Sequence, residues 1–168
     1  MNSQLTTRIA IEKDIGSIRM IYNQGIEDGI ATLETEPKDE IFMKNWFEEH
    51  QGRYSVLVAE QNEEVIGWAS LNPYSNRCAY NGVADLSVYI RRDYRGKGVG
   101  TKLLQDIEAL AIQQQFNKII LFTFSFNTSG QGLYKKCGYR KVGVLERQGY
   151  MDGKFIDVMI MEKILIDK

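Results

Sequence analysis

The sequence has few of the residues that build metal centres and covalent frameworks. Its 168 residues include two cysteines, one histidine and two prolines. Cys78 and Cys137 lie far apart and lack CxxC spacing, so we expect no disulfide framework. With His50 as the single histidine, we also expect no zinc or copper site. Two reduced thiols are the simplest interpretation, and they are typical of the cytosol.

An excess of one charge and a long apolar run are also missing. The chain has 21 Lys and Arg against 22 Asp and Glu, which argues against nucleic acid as the main partner. The first residues lack a basic segment followed by an apolar core, so no secretory signal is evident. No apolar run approaches the ~20 residues of a membrane span. We therefore expect a cytoplasmic protein that binds neither nucleic acid nor membrane.

Low-complexity tracts, internal repeats and linkers rich in proline or glycine are absent too. Residues 1–168 are therefore expected to form a single domain with its own core. Alternating apolar residues in TTRIAI predict a first strand, and Asp14 is expected to cap the helix that follows. A second helix is predicted to start near Pro37, because proline is favoured at the first helical position.

The rest of the chain alternates between strand and helix patterns. A helix is predicted from Val99 to about Gln115, and a second, short helix is closed by Gly138. Asp152-Gly153 is a strong signal for a hairpin turn between the last two strands. The predicted strands are YSVLVAE, VIGWASLNPY, GVADLSVYI, KIILFTF, KVGVLE and FIDVMIMEK. The element order is β-α-α-β-β-β-α-β-α-β-β, which indicates a mixed α/β domain.

Glycines and cations are concentrated between the strand ending at Ile90 and the helix starting at Val99. Glycines let the backbone turn tightly and direct several N–H groups at one point. The helix N-terminus adds unpaired N–H groups and a partial positive charge. Together they predict a socket for a pyrophosphate or similar anion. The alternative is a glycine-rich turn with solvated cations.

The spacing in this segment excludes two well-known phosphate loops. GxxxxGK[ST] is absent, and GxGxxG fails because Thr101 stands where the last glycine is required. What remains is the pattern Arg95-x-x-Gly98-x-Gly100. Arg95 and Lys97 can add charge-assisted contacts to an anion held there.

Two motifs and the element order resemble the GNAT superfamily of acetyl-CoA-dependent N-acetyltransferases. Arg95-x-x-Gly98-x-Gly100 matches its [QR]-x-x-G-x-[GA] signature after the fourth strand. In NTSGQGLYKKCGY, Asn127 and Tyr134 match a second signature. The resemblance covers nearly the whole chain. It implies the α/β GNAT (acyl-CoA N-acyltransferase) fold, with a mixed, mostly antiparallel sheet of about seven strands, splayed in the middle and flanked by four helices.

Three shorter stretches resemble the phosphinothricin and methionine sulfoximine acetyltransferase family. They are TEP, RCAY and GYMDGKFIDVMIMEK. This resemblance implies a homodimeric enzyme that transfers an acetyl group from acetyl-CoA to the primary amine of a small amino-acid-like substrate, without a metal. Two alternatives stay open: a GNAT enzyme acting on a protein or peptide amine, and a non-catalytic acetyl-CoA-binding module.

The GNAT resemblance also implies where acetyl-CoA binds. The strand ending at Ile90 splays from its neighbour, and its free backbone groups pair with the pantetheine arm. The segment from Gly96 to Thr101 holds the pyrophosphate, and Asn127 bonds the pantetheine or its own neighbouring backbone. The residues expected in this site are Val88, Tyr89, Ile90, Arg95, Gly96, Lys97, Gly98, Val99, Gly100, Thr101 and Asn127.

Two side chains are candidates for proton transfer. Asp85, where many members of the family have Glu, would deprotonate the substrate ammonium, directly or through water. Alternatively, Asp85 orients the amine or is paired within the sheet. Tyr134 would protonate or hydrogen-bond the departing thiolate, unless its ring only packs in its short helix. A backbone N–H near Tyr89 is expected to stabilise the oxyanion.

The carboxylate of an amino acid substrate calls for a cation. Arg77, in the loop before the fourth strand, is the best candidate, because arginine can grip a carboxylate bidentately. The alternative is an ordinary surface arginine. Tyr80 and Leu33 would wall the pocket, although the family often has Phe where Leu33 stands. Leu86 and Ser87 complete the predicted substrate site, and Ser87 could instead face the core.

Two conspicuous residues are expected to have structural roles. His50 follows two glutamates at a helix end, where a cation complements the helix dipole, and no catalytic role is predicted for it. Cys137 is expected to pack beside the short helix that carries Tyr134.

Overall fold

The computed structural model describes residues 4–29 and 32–166. In this part of the chain, four helices flank a sheet of seven strands, and the element order is as predicted. The helices are α1 (Ile15–Asp28), α2 (Glu40–Glu49), α3 (Val99–Gln113) and α4 (Thr128–Lys136). The strands are β1 (Thr6–Ile9), β2 (Val56–Gln61), β3 (Glu64–Pro73), β4 (Val83–Ile90), β5 (Lys118–Phe124), β6 (Arg140–Met151) and β7 (Lys154–Ile164).

The sheet, in the order β1-β2-β3-β4-β5-β7-β6, opens at its centre between β4 and β5. These two strands run parallel and pair only over Val83–Asp85 and Lys118–Ile120. Beyond Asp85, β4 continues to Ile90 and β5 to Phe124 without pairing with each other. The mixed sheet and its predicted splay are thereby confirmed. Backbone polar groups along the opening need other partners.

The two faces of the sheet are covered by different helices. In β2, Val56 and Val58 pack with α1 and α2, whereas Leu57 and Ala59 pack with α3. This alternation is the two-residue period of a strand whose faces are both buried. In β4, Leu86 faces the α3 side. The odd-numbered positions of β4 therefore face the side of the sheet that α1 and α2 cover.

The start of the second helix differs from the prediction. It begins at Glu40 rather than near Pro37. Asp39 precedes it as the N-cap, and the Asp39 carboxylate accepts a 2.8 Å hydrogen bond from the backbone N–H of Phe42. The aspartate satisfies one of the free N–H groups at the helix start, which proline cannot do.

Asp14 precedes α1, as predicted, but its side chain does not cap that helix. Instead, its carboxylate accepts hydrogen bonds from the guanidinium of Arg8, at 2.7 and 2.9 Å, and from the backbone N–H of Ile11 at 2.8 Å. The carboxylate therefore ties α1 to the first strand.

Two further local predictions, the final turn and the packing of Cys137, are confirmed. The last two strands are joined at Asp152-Gly153, and Cys137 packs against the core. Cys78 and Cys137 are free thiols. Among the described residues, no helix is long and apolar enough to cross a membrane.

Candidate active site

Two adjoining pockets lie at the opening between β4 and β5. The splay pocket, of about 200 Å³, is lined by Asp85 and Ser87 and bordered by Leu33 and β5. The loop pocket, of about 390 Å³, is lined by the glycine segment and the start of α3. The residues that line both pockets are Val88, Tyr89, Asn127 and Tyr134.

Most of the predicted site residues line one or both of these pockets. The structure brings together Leu33, Asp85, Leu86, Ser87, Val88, Tyr89, Ile90, Arg95, Gly96, Gly98, Gly100, Thr101, Asn127 and Tyr134. Four others, Lys97, Val99, Arg77 and Tyr80, are absent from both linings.

The glycine segment is shaped by two different requirements. Gly98, the N-cap of α3, has a φ of 88°, a left-handed conformation that residues with a β-carbon rarely adopt. Gly100 allows α4 to approach, because a β-carbon there would lie 2.7 Å from Leu133 Cδ2. The start of α3 therefore lies beside α4, and the first residues of α3 line the loop pocket. The free N–H groups of a helix start are the kind of donor that binds anions.

The charged residues of the segment differ in position. Arg95 lines the loop pocket, and its Nη1 donates a 2.6 Å hydrogen bond to Asp28 at the end of α1. Lys97 is exposed, with its ammonium 5.4 Å from the centre of the Tyr94 ring. Val99 is 2% exposed and packs in the core, so only its backbone is available to a ligand.

Asn127 serves the local structure of α4. Its Oδ1 accepts a hydrogen bond from the backbone N–H of Gly130 at 3.1 Å, and its Nδ2 donates to Thr123 Oγ1 at 3.1 Å. These bonds cap α4 and fix the helix to β5. The predicted contact with neighbouring backbone is present, at the wall shared by the two pockets.

Tyr134 stands at the junction of the pockets, and its ring packs edge-on against Tyr139 with ring centres 6.0 Å apart. Burial raises the pKa of Tyr134 to about 12, so the phenol keeps its proton at neutral pH. Within residues 4–29 and 32–166, no group forms a hydrogen bond with the Tyr134 hydroxyl. The side chain therefore combines a packing role with a free proton donor.

Asp85 has the properties of a base that works near neutral pH. Burial raises the pKa of its carboxyl to about 6, and a 3.1 Å hydrogen bond from Asn72 Nδ2 acts in the opposite direction. No described Lys, Arg or His side chain forms an ion pair with Asp85. A half-buried carboxyl without a cation, at the wall of a pocket, is a candidate functional group.

The candidate substrate residues fall into two groups. Leu33, Leu86 and Ser87 line the splay pocket. Ser87 therefore does not face the hydrophobic core between the sheet and α3. Arg77 and Tyr80 are exposed in the loop between β3 and β4. The Arg77 guanidinium forms no ion pair or hydrogen bond with any side chain that the structure describes.

Several polar residues behind the splay pocket were not predicted from the sequence. Asn72 of β3 lies opposite Asp85 and bonds both Asp85 and Ser87, and His50 bonds Asn72. The strand pattern placed Asn72 on a strand, but only the β3–β4 register brings it beside Asp85. Nothing in the sequence indicated that the end of α2 reaches β3.

A search against protein-family models matches residues 18–139 to the acetyltransferase (GNAT) family. This is more than half of the chain. The chain belongs to the GNAT family of acetyltransferases. Acetyl-CoA is therefore the co-substrate of this enzyme, and the loop pocket, with its free N–H groups and Arg95, has the donors that a pyrophosphate requires. No described cluster of His, Cys, Asp or Glu is arranged to hold a metal ion.

Similar proteins support the narrower resemblance. The GNAT enzyme is 32% identical over 162 residues to a phosphinothricin N-acetyltransferase from Alcaligenes faecalis, covering 95% of this chain and 82% of the relative. It is 31% identical over 152 residues to an L-methionine sulfoximine/L-methionine sulfone acetyltransferase from Pseudomonas paraeruginosa, covering 89% and 88%. A crystal structure of a phosphinothricin acetyltransferase from Sinorhizobium meliloti with AcCoA superposes with a TM-score of 0.90 at 29% identity, covering 95% and 88%.

Proposed function

We propose that this GNAT enzyme acetylates the primary amine of a small amino-acid-like molecule of the phosphinothricin or methionine sulfoximine type. The observation that carries this proposal is the junction of the two pockets. A small pocket with a carboxyl of raised pKa adjoins the loop pocket, and they share Tyr89 and Tyr134. A pocket of about 200 Å³ suits a small acceptor, since larger, drug-sized ligands need more room.

In the proposed mechanism, each pocket binds one substrate. The start of α3 and Arg95 bind the pyrophosphate, and the unpaired edge of β4 binds the pantetheine arm. The thioester then lies near the shared wall at Tyr89 and Tyr134. The acceptor amine enters the splay pocket beside Asp85, so that the reacting atoms are held close together.

The proposed chemistry is direct transfer through a tetrahedral intermediate. Asp85 accepts a proton from the acceptor ammonium, directly or through water, and the neutral nitrogen attacks the thioester carbon. The new N–C bond forms, the carbonyl oxygen takes up negative charge beside a backbone N–H near Tyr89, and the C–S bond then breaks. Tyr134 donates a proton or a hydrogen bond to the departing thiolate. The nitrogen of the new amide releases its extra proton, either to the Tyr134 phenolate or to solvent.

We further propose that Arg77 holds the acceptor carboxylate, with Tyr80 beside it. Arg77 lies in the loop that joins β3 and β4, the two strands that pair at Asn72 and Asp85. Its guanidinium has no partner among the described residues, so it is available for a bidentate contact. This role requires the loop to approach the splay pocket when the acceptor binds.

The test is release of free CoA from acetyl-CoA with a panel of amines: phosphinothricin, methionine sulfoximine, glutamate, a polyamine and a peptide. Saturable turnover of phosphinothricin or methionine sulfoximine is expected, and Arg77→Ala should raise KM for that acceptor. The control is Arg53→Ala, because Arg53 lies over the Phe116 ring and lines neither pocket. An unchanged KM in Arg77→Ala would reject the carboxylate contact.

The same panel separates the two alternatives. Turnover of the peptide but of no free amino acid would assign the enzyme to protein or peptide amines. Binding of acetyl-CoA without turnover of any amine would indicate a binding module instead. Either result contradicts the proposed acceptor and leaves the loop pocket as described.

We also propose that the enzyme is a homodimer. The hairpin of β6 and β7 lies at one edge of the sheet and exposes apolar side chains to solvent. These are Val142, Val144, Tyr150 and Phe155. Exposed apolar patches commonly mark contacts between chains. Light scattering that gave the mass of a single chain at micromolar concentration would reject the dimer.

A further inference from the structure

A chain of hydrogen bonds leads from Asp85 of β4, by way of Asn72 of β3, to His50 at the end of α2. Asn72 Nδ2 donates to Asp85 Oδ2 at 3.1 Å. On its other side, Asn72 Oδ1 lies 2.7 Å from His50 Nε2. His50 Nδ1 lies 2.8 Å from the backbone carbonyl oxygen of Trp46. One amide therefore contacts both the candidate base and the only histidine of the sequence.

The chemistry of these partners links the orientation of the amide to two charges. The Trp46 carbonyl oxygen can only accept, so His50 Nδ1 carries a hydrogen. When the imidazole is a cation, Nε2 also donates; Asn72 then turns its oxygen toward His50 and its NH₂ toward Asp85. This is the arrangement in the structure, and it favours the ionised carboxylate at Asp85.

The reversed amide favours the uncharged forms of both His50 and Asp85. When the imidazole is neutral, Nε2 accepts a hydrogen bond from the Asn72 NH₂, and the amide oxygen faces Asp85. That oxygen cannot donate, so it bonds only the protonated carboxyl. Two hydroxyl groups complete the cluster: Ser70 Oγ lies 2.9 Å from Asn72 Oδ1, and Ser87 Oγ lies 3.0 Å from Asn72 Nδ2. Because a hydroxyl can donate or accept, both serines are satisfied by either orientation.

His50 is held in place and also reaches solvent. Its ring packs on Trp46 with centres 4.4 Å apart, and Trp46 packs on the buried Trp68 at 5.2 Å. His50 also lines a separate pocket of about 310 Å³ together with Phe47. The imidazole can therefore exchange protons with water in this pocket, which shares no lining residue with the splay pocket.

We propose that His50 is a positioning residue for acetyl transfer, which acts through the amide of Asn72 to set the charge of Asp85. The inference rests on the proposed function, because it assumes that Asp85 takes the acceptor's proton. In the arrangement with Asn72 NH₂ toward Asp85, the carboxylate is ready to accept that proton. After proton uptake, reversal of the amide bonds the carboxylic acid, while the His50 ring releases its Nε2 proton to water. The amide returns to its first orientation when Asp85 gives its proton to solvent and His50 takes one up.

The coupling is testable without any substrate. Because His50 is the only histidine, long-range ¹H–¹⁵N spectra of the full chain report its two ring nitrogens without overlap. We expect Asp85→Asn to shift the Nε2 resonance and to leave Nδ1, bonded to Trp46, nearly unchanged. In an Asn72→Ala background, with Asn72→Ser as the second choice if alanine prevents folding, the same Asp85 substitution should no longer shift Nε2. An unchanged Nε2 resonance in Asp85→Asn overturns the proposal.

Kinetics test the consequence for transfer. His50→Ala should lower kcat at least tenfold with KM for acetyl-CoA unchanged, because neither His50 nor Asn72 lines the loop pocket. His50→Gln, whose amide can still bond Asn72, should recover part of the loss. The control is Gln51→Ala, at the same helix end, where Gln51 bonds only Phe47 among the described residues. A kcat for His50→Ala equal to that of the control overturns the proposal.

The two tests keep this inference apart from the proposed base. If Asp85→Asn retains full activity, Asp85 is not the base, whatever the spectra show. If Asp85→Asn is inactive but the Nε2 resonance of His50 does not shift, Asp85 remains the candidate base and the proposed coupling to His50 is wrong.

Discussion

Arg95 Nη1 donates a 2.6 Å hydrogen bond to Asp28 Oδ2, which ties the glycine segment to the end of α1. Arg92 also bonds Asp28, at 2.8 and 3.1 Å, and these two arginines lower the pKa of the Asp28 carboxyl. Of the two, only Arg95 lines the loop pocket. Asp28 therefore holds Arg95 beside the loop pocket, whereas Arg92 is outside the lining of that pocket.

This difference predicts the effect of removing each arginine. Arg95→Ala should raise KM for acetyl-CoA about tenfold, the equivalent of one charge-assisted hydrogen bond, with kcat nearly unchanged. Arg92→Ala removes a bond to the same carboxylate and should leave KM within about twofold. Initial rates at varied acetyl-CoA measure both. Equal effects of the two substitutions would show that Arg95 acts through Asp28 rather than on the phosphates.

The raised pKa of Asp85 predicts how activity depends on pH. Its carboxyl titrates at about 6 instead of 3.8, so below about pH 6 it is protonated and cannot accept a proton. With both substrates saturating, kcat should therefore rise as pH increases through about 6. In Asp85→Asn, kcat should be much lower and should no longer fall at acidic pH. Rates from about pH 5 to about pH 8 test this, and an identical fall in Asp85→Asn would exclude Asp85 as its source.

The raised pKa of Asp85 also affects stability, which should fall as pH rises, whereas activity should increase. The folded protein holds the Asp85 proton more tightly than the unfolded chain, so this carboxyl stabilises the fold at low pH. Its contribution is lost as pH rises from 3.8 through about 6. Asp85→Asn should remove this pH dependence, and urea unfolding at several pH values measures it. The outcome is independent of any catalytic role.

Removing the hydroxyl of Tyr134 should affect turnover and leave the fold intact. The ring still packs on Tyr139 in Tyr134→Phe, and no hydrogen bond to the described residues is lost. We expect kcat to fall by about 10²-fold, typical of a positioned proton donor, with both KM values nearly constant. The matched control is Tyr150→Phe, an exposed tyrosine outside both pockets. If the two variants turn over equally, Tyr134 has only its packing role.

A side chain at Gly100 should be costly, because it would collide with the Leu133 side chain of α4. A β-carbon there would lie 2.7 Å from Leu133 Cδ2, so Gly100→Ala should reduce the free energy of unfolding by about 1–3 kcal/mol. Gly132→Ala, inside α4 with no atom within 4 Å of the added carbon, should be neutral or stabilise by up to about 1 kcal/mol. Urea unfolding compares them. Equal stability of the two variants would mean that the Leu133 side chain moves aside at no cost.

Local patterns predicted the elements well where a short run of residues is enough to decide the conformation. KIILFTF is β5 residue for residue, and Asp152-Gly153 is the final turn. The start of α2 was predicted incorrectly, because two local signals compete within three residues. Proline at 37 favours a helix start, but the Asp39 side chain forms a capping bond and determines the first turn.

For the candidate site, the sequence by itself identified the glycine segment and Tyr134 through short motifs with local spacing, and it identified Asp85 through the resemblance of its strand to the family. Only the tertiary structure decided that Asn72 lies opposite Asp85 and that His50, at the end of a different helix, bonds Asn72. Strand register and helix docking depend on how the whole core packs. A hydrogen bond between residues from β3, β4 and α2 therefore leaves no pattern in any one segment.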